Sequence, residues 1–81
     1  MKAIVVGCGR IGSQLAYSMF KRGHDISVID EEEASFDNLP SDFEGRLHEG
    51  DAMNQDVLER AGVKTCDALA AATDMDALNV V

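Results

Sequence analysis

Three glycines and a distant acid are the residues of this sequence whose types and spacing could bind a ligand. Gly7, Gly9 and Gly12 form a G-x-G-x-x-G pattern directly after the apolar run 2–6. Asp30 lies 18 residues after Gly12, at the end of a second apolar run. Strand, glycine turn, helix, strand and carboxylate together form the context that a dinucleotide site requires. The pattern therefore predicts a phosphate-binding turn with a ribose-binding acid beside it.

Each glycine of this pattern has a separate physical role. Gly7 lets the chain turn sharply out of the strand, and Gly9, which has no Cβ, lets a pyrophosphate approach the backbone. Gly12 lets the helix pack closely against the sheet. The first amides of that helix, beginning at Arg10, have no acceptors within the helix and carry the positive end of its dipole. We expect these amides to hold phosphate oxygens.

The acid at position 30 indicates which nucleotide would bind. Asp30 can accept hydrogen bonds from both hydroxyls of an adenosine ribose, and residues 31–33 are three further glutamates. Their negative charges would repel a 2′-phosphate. The sequence therefore favours NAD or an unmodified adenine nucleotide over NADP. The alternative is a glycine turn that binds nothing, but such a turn has little need of three glycines at this spacing and an acid.

Size and charge limit the classes of protein to which the chain could belong. It has 81 residues, which is about half of a complete doubly wound domain. The net charge of −8 argues against a nucleic-acid or anionic-membrane surface. Cys8 and Cys66 form no C-x-x-C pair, so neither a disulfide framework nor a zinc site is expected. With no signal sequence or membrane span visible, we expect a cytoplasmic protein whose membrane association comes through a partner.

Apolar periodicity predicts strands that alternate with helices. Ile11, Leu15 and Met19 recur every four residues, and Gly23 ends that helix. The predicted strands are 2–6, 25–29, 46–49 and 67–72, and the predicted helices are 10–22, 34–39 and 54–61, with a fourth helix opening at Thr73. Right-handed crossovers then give an α/β fold, a Rossmann-type parallel sheet of order 3-2-1-4 with helices on both faces.

Several other residues could suggest chemistry, but each has a simpler interpretation. Cys8 lies in the glycine turn, where we interpret it as a small side chain and not as a reactive thiolate. His24 and His48 belong to no catalytic or metal-binding constellation, and we interpret both as surface or strand-end residues.

Three aspartates are open to two interpretations each. Asp74 and Asp76 could form a metal pair, but capping of a helix start is favoured, because free amides stabilise carboxylates there. For Asp51, which follows Gly50, a binding role and a turn role are equally supported.

A wider set of residues resembles a known family. Gly7-Cys8-Gly9-Arg10-Ile11-Gly12, Asp30, Gly50-Asp51-Ala52, residues 72–76 and Asn79 together resemble the nucleotide-binding domain of Trk/Ktr-type potassium-uptake regulatory subunits, called KTN or RCK. The resemblance covers the whole chain. Its Gly-Asp pair and its A-T-x-x-D-x-x-N segment are more specific than the glycine pattern.

The resemblance implies a non-enzymatic regulatory subunit that binds NAD(H) or ATP/ADP and gates a membrane potassium transporter. Such a subunit is cytoplasmic, lies at the membrane only through its transporter, and is a homo-oligomer without nucleic acid or inserted segments. In the family, loop amides hold phosphates, the acid holds a ribose, the Gly-Asp turn lies by the adenine, and the loop arginine lies near phosphates and the subunit interface. These roles carry over to Gly7, Cys8, Gly9, Arg10, Ile11, Gly12, Asp30, Asp51, Ala52 and, at the far end of the nucleotide, Thr73.

The chain departs from the family in length. The family domain continues through two more strands and a dimerising helix, so residues 1–81 are expected to be the N-terminal portion of one nucleotide-binding domain, or to be completed by another chain. The predicted fourth strand, 67–72, would otherwise be an open edge, and a second chain is expected to pair through it and through the Leu78-Val80-Val81 end. The NAD-binding part of a dehydrogenase is the alternative function, and an inactive assembly scaffold is a third.

Overall fold

This computed structural model describes residues 1–72 and 78–80; strands and helices alternate through the first range, and the second is a strand. The strands are β1 (Lys2–Val6), β2 (Asp25–Asp30), β3 (Arg46–Glu49), β4 (Ala68–Ala72) and β5 (Leu78–Val80). The helices are α1 (Arg10–Lys21) and α2 (Gln55–Ala61), with a 3-10 helix at Glu33–Asn38 between β2 and β3. Every predicted element within residues 1–72 is present, and all of the bounds agree within one residue.

The strands form one sheet in the order β3-β2-β1-β4-β5. β1 pairs in parallel with β2 and with β4, and β2 pairs in parallel with β3. The predicted Rossmann-type order 3-2-1-4 is therefore confirmed. Because all four strands point the same way, their carboxyl ends meet at one edge, where parallel α/β sheets place their ligands.

The two helices cover opposite faces of the sheet. Side chains of a strand alternate between faces, and Ala3 and Val5 pack with Ala16 of α1 in one buried cluster. Ile4 packs with Val57 of α2 in a second buried cluster. Each helix therefore buries an apolar stripe against the sheet, and together the two clusters form the core.

The prediction at the end of the chain is wrong where the structure can be compared with it. Thr73, Asp74 and Asp76 lie outside the described residues, but residues 78–80 form a strand and do not continue a helix. β5 pairs antiparallel with β4, with Asn79 opposite Ala71. Pairing satisfies the backbone groups on the β4 edge, which would otherwise be open. Because β5 occupies that edge, β4 is not the open edge strand that the sequence predicts, and pairing with a second chain stays a prediction.

The segment after β2, which the sequence predicts as a short helix over 34–39, is a 3-10 helix. Residues 33–38 form a 3-10 helix, and Leu39 has the extended backbone that is favoured before Pro40. Phe36 packs against the buried cluster on the α1 face. The segment is therefore anchored beside the carboxyl end of β2.

Gly50 fixes how closely the turn after β3 approaches α2. Its N–H donates to the backbone oxygen of Asp30 at 2.8 Å, and a Cβ built on it would lie 2.7 Å from Cγ2 of the buried Val57. Real Cβ atoms do not come so close, so a side chain here would displace α2 or the turn.

Gly50→Ala is therefore expected to lower the free energy of unfolding by about 1–3 kcal/mol, as measured by urea denaturation. The same change in a Val57→Ala background should cost clearly less, because the clashing methyl is gone. Additive effects of the two substitutions would contradict the steric explanation.

Candidate nucleotide-binding site

A cleft of about 460 Å³ opens at the carboxyl ends of β1 and β2 and extends to the turn after β3. It is lined by Val6, Gly7, Ile29, Asp30, Glu31, Glu32, Ser35, Gly50, Asp51, Ala52 and Met53. Four of the residues singled out in the sequence, Gly7, Asp30, Asp51 and Ala52, thus lie around one cavity. They come from three separate turns that the parallel sheet brings to one edge.

The glycine turn leaves β1 through a left-handed backbone. Gly7 has a φ of 97°, a region that L side chains rarely adopt, and its N–H donates to the backbone oxygen of Ile29 at 2.7 Å. Gly9 then forms the N-cap of α1, and its carbonyl accepts from the N–H of Ser13 at 2.9 Å. The turn thus passes from β1 into α1 within three residues.

The first turn of α1 leaves its amides available. Among the described residues no side chain caps this helix, and its first turn contains no acid. The N–H groups of Arg10, Ile11 and Gly12 have no acceptors within the helix because they belong to its first turn. An anion is the partner that the helix dipole favours at this position. The Arg10 side chain is exposed beside these amides.

The Asp30 carboxylate connects the glycine turn to the end of β2. Its Oδ2 accepts from the N–H of Cys8 at 2.7 Å, and its Oδ1 accepts from the N–H of Glu32 at 2.8 Å. An ionised carboxylate has about four acceptor positions, so two remain. Asp30 can therefore hold the turn and still accept hydrogen bonds from a ligand in the cleft.

Cys8 contributes its backbone and not its thiol. The side chain is fully buried, and burial, with a smaller effect from the negative charge of Asp30, raises the pKa of the thiol to about 11. The thiol is therefore protonated at neutral pH and is not a reactive thiolate. This agrees with the interpretation of Cys8 as a small side chain in the turn.

The turn after β3 is closed by the side chain of Asp51. Its Oδ1 accepts from the N–H of Met53 at 2.8 Å, which is an Asx-turn. The turn interpretation of Asp51 is thus confirmed, while its position in the cleft leaves the binding interpretation as a prediction. Met53 lies at the end of this turn and is 89% exposed, the largest exposure of the large apolar side chains described.

Sequence reasoning missed two polar or exposed residues of the cleft. Ser35 and Met53 line it, and only their nearness in sequence to Asp30 or Asp51 could have indicated them, whereas Glu31 and Glu32 line it as the sequence indicated. Thr73, the predicted contact at the far end of the nucleotide, lies outside the described residues.

Other candidate chemistry finds no support within residues 1–72 and 78–80. This part of the chain contains no group of three or more His, Cys, Asp or Glu side chains that could hold a metal ion. Asp74 and Asp76, the possible metal pair, fall outside it. Within the same part, no helix combines the length and the apolar character that crossing a membrane requires.

The two histidines lie in different environments, both away from the cleft. His24 is partly exposed, with its Nδ1 at 3.1 Å from the N-terminal amine of Met1. His48 is half-buried on β3 and, together with Val57 and Arg60 of α2, lines a second cavity of about 200 Å³. Its Nε2 is buried without a hydrogen-bond partner among the described residues. Burial chiefly, and then the charges of Arg46 and Arg60, lower the pKa of His48.

Fold and site together define a class, a Rossmann-type domain with an open cleft at the carboxyl ends of its parallel strands. Comparison with known proteins narrows that class. The chain belongs to the TrkA-N domain family, whose sequence profile matches residues 3–81. The family resemblance noted in the sequence is thereby confirmed.

Two curated relatives match the whole chain. It is 40% identical over 81 residues to the Trk system potassium uptake protein TrkA of Streptomyces coelicolor, and 37% identical over 81 residues to a TrkA homolog of Pyrococcus abyssi. In both cases the match covers 100% of this chain but 36% of the relative. The chain thus spans about a third of the length of these relatives.

A solved structure has the same fold. The C-terminal domain of Kef from Shewanella denitrificans, in its AMP-bound form, superposes with a TM-score of 0.73 at 29% sequence identity. The superposition covers 91% of this chain and 43% of that one.

The environment of His48 predicts a pH effect on stability. Because the folded protein lowers its pKa from the ordinary value of 6.5, the unfolded chain binds a proton more readily. Stability from the neutral His48 is therefore present above pH 6.5 and is lost as the pH falls below it.

His48→Gln is expected to reduce the loss of stability between about pH 7 and about pH 5.5, as measured by thermal melts across that range. Equal slopes for wild type and His48→Gln would contradict the assignment.

Proposed function

We propose that this chain is the nucleotide-binding regulatory module of a potassium uptake system, and that its ligand is NAD(H) or ATP/ADP. The observation that carries the proposal is the Asp30 carboxylate, which holds the glycine turn and faces the cleft with acceptor capacity to spare. Membership of the TrkA-N family and the names of the potassium-uptake relatives support the same role.

Each part of an adenine nucleotide has a matching group in the site. The ribose hydroxyls donate to Asp30, and the phosphates accept from the amides at the start of α1. The adenine lies against the turn that contains Asp51, Ala52 and the exposed Met53. The proposed contacts are Gly7, Cys8, Gly9, Arg10, Ile11, Gly12, Asp30, Asp51, Ala52 and Thr73, with Cys8 acting through its backbone.

The acids of the cleft favour an unmodified ribose. Glu31 and Glu32 line the cleft beside Asp30. None of the described cleft residues is a cation that could bind a 2′-phosphate. The negative charges of these glutamates would repel the 2′-phosphate of NADP, so NADP should bind more weakly than NAD. The AMP bound to the Kef domain supports an adenine nucleotide as the ligand class.

Regulation follows from differential affinity. A nucleotide that binds one arrangement of the assembled subunits more tightly shifts the population towards that arrangement. In this proposal the module is cytoplasmic, forms a homo-oligomer, and lies at the membrane through its transporter. The potassium-uptake names of the relatives favour this role over the NAD-binding part of a dehydrogenase.

Removing the central carboxylate tests the nucleotide site. Asp30→Ala should weaken NAD and ATP binding at least about tenfold in calorimetric titrations, because a charge-assisted contact contributes about 1.5–3 kcal/mol. It should also lower stability, since the amides of Cys8 and Glu32 lose their acceptor.

Asp67→Ala is the matched control for that variant. Asp67 also accepts from a backbone amide, that of Lys2 at 2.8 Å, but it precedes β4 and lies at the opposite end of the sheet. It should lose stability without losing nucleotide affinity. Unchanged affinity of Asp30→Ala for both nucleotides would refute the proposed ribose contact.

Arg10 should act on the phosphate chain and not on folding, because its side chain is exposed at the start of α1. Arg10→Ala is expected to change the ratio of ATP to ADP affinity about threefold or more, with little change in melting temperature. Arg22→Ala, exposed after the other end of α1, should leave the ratio unchanged. Equal losses of ATP and ADP affinity would make Arg10 a general contact instead of a discriminating one.

A further inference from the structure

Asn38 holds the glycine turn by a bond to the carbonyl of Cys8, whereas Asp30 holds it by a bond from the N–H of Cys8. Its Nδ2 donates to the backbone oxygen of Cys8 at 2.9 Å and to the backbone oxygen of Ser35 at 3.0 Å. Asn38 is the last residue of the 3-10 helix, 30 residues away from Cys8 in sequence. One side-chain amide therefore ties the 3-10 helix to the turn between β1 and α1.

Two successive peptide groups of the turn are thus fixed by the segment that follows β2. The N–H of Cys8 donates to Asp30, and the carbonyl of Cys8 accepts from Asn38. That carbonyl belongs to the same planar peptide group as the N–H of Gly9, and the two point in opposite directions in a trans peptide. By fixing the carbonyl, Asn38 fixes the direction of the Gly9 N–H, away from the 3-10 helix.

Gly9 is the N-cap of α1, so its amide lies next to the uncapped first turn. Amide donors bind a phosphate well when they are oriented before the ligand arrives, because no reorganisation is then needed on binding. A turn of three residues, including two glycines, is otherwise free to rotate this peptide group.

We propose that Asn38 is a positioning residue for the phosphate of the bound nucleotide: it orients the Cys8–Gly9 peptide group so that the Gly9 amide can donate to a phosphate oxygen. The inference rests on the proposed nucleotide-binding function and extends it to a residue outside the cleft lining. Asn38 touches neither base nor ribose in this arrangement, so its effect is confined to ligands that carry phosphate.

The test compares adenosine, AMP and ADP binding to wild type and to Asn38→Leu, which has similar size and no donor. We expect about a fivefold loss of AMP and ADP affinity, the effect of one hydrogen bond, and less than about a twofold loss for adenosine. Asn38→Asp is the second variant, because it keeps the shape but its carboxylate repels the two carbonyls. It should also lose affinity for AMP and ADP but not for adenosine. Asp37→Ala, at the exposed neighbouring position, is the control and should change none of the three affinities.

A second measurement needs no ligand. The amide resonance of Gly9 should shift in both Asn38 variants but not in Asp37→Ala. A structural role alone would weaken adenosine and ADP equally, and that result, or unchanged ADP affinity, would overturn the inference while leaving the proposed function intact. Absence of binding of all three ligands, and of NAD, NADH and ATP, to wild type would instead overturn the proposed function, and this inference with it.

Discussion

The hydrogen bonds between the Asp30 carboxylate and two backbone amides are the interaction on which the site depends. Charge-assisted bonds of this kind are roughly twice as strong as neutral ones. They hold Cys8 of the glycine turn on one side and Glu32 on the other, at 2.7 and 2.8 Å. With the bond from Asn38 to Cys8, they make the glycine turn and the segment after β2 one unit. A ligand bound to Asp30 therefore contacts both halves of that unit at once.

A strongly acidic chain can still provide an anion site because the donors are backbone amides. The net charge is −8, and the cleft is lined by Asp30, Glu31, Glu32 and Asp51. The uncapped start of α1 offers N–H groups and the positive end of a helix dipole without any cation. In the proposed arrangement these acids lie beside the ribose, which needs acceptors for its hydroxyls. The acidic acceptors and the amide donors would thus contact different parts of the proposed nucleotide.

Packing of α2 determines the position of the turn after β3, which lines one side of the cleft. Val57 approaches Gly50 closely enough to exclude a Cβ there, and the Asx-turn of Asp51 follows directly. His48 lies beneath the same helix, beside Val57, with a buried ring nitrogen that has no partner among the described residues. The position of the turn, and with it the proposed adenine contact, is therefore coupled to how well a short helix packs on β3.

The sequence by itself determined the parallel strands, their order, the glycine turn and the acid at position 30. These follow from local periodicity, from turn positions whose backbone favours glycine, and from the handedness of crossovers. Only the tertiary structure decided the strand at 78–80, because its partner β4 offers backbone groups that no local pattern reveals. The same holds for Asn38, Ser35 and Met53. Their roles depend on which turns the sheet brings together at one edge, and side-chain contacts between distant segments leave no periodic signal in a single sequence.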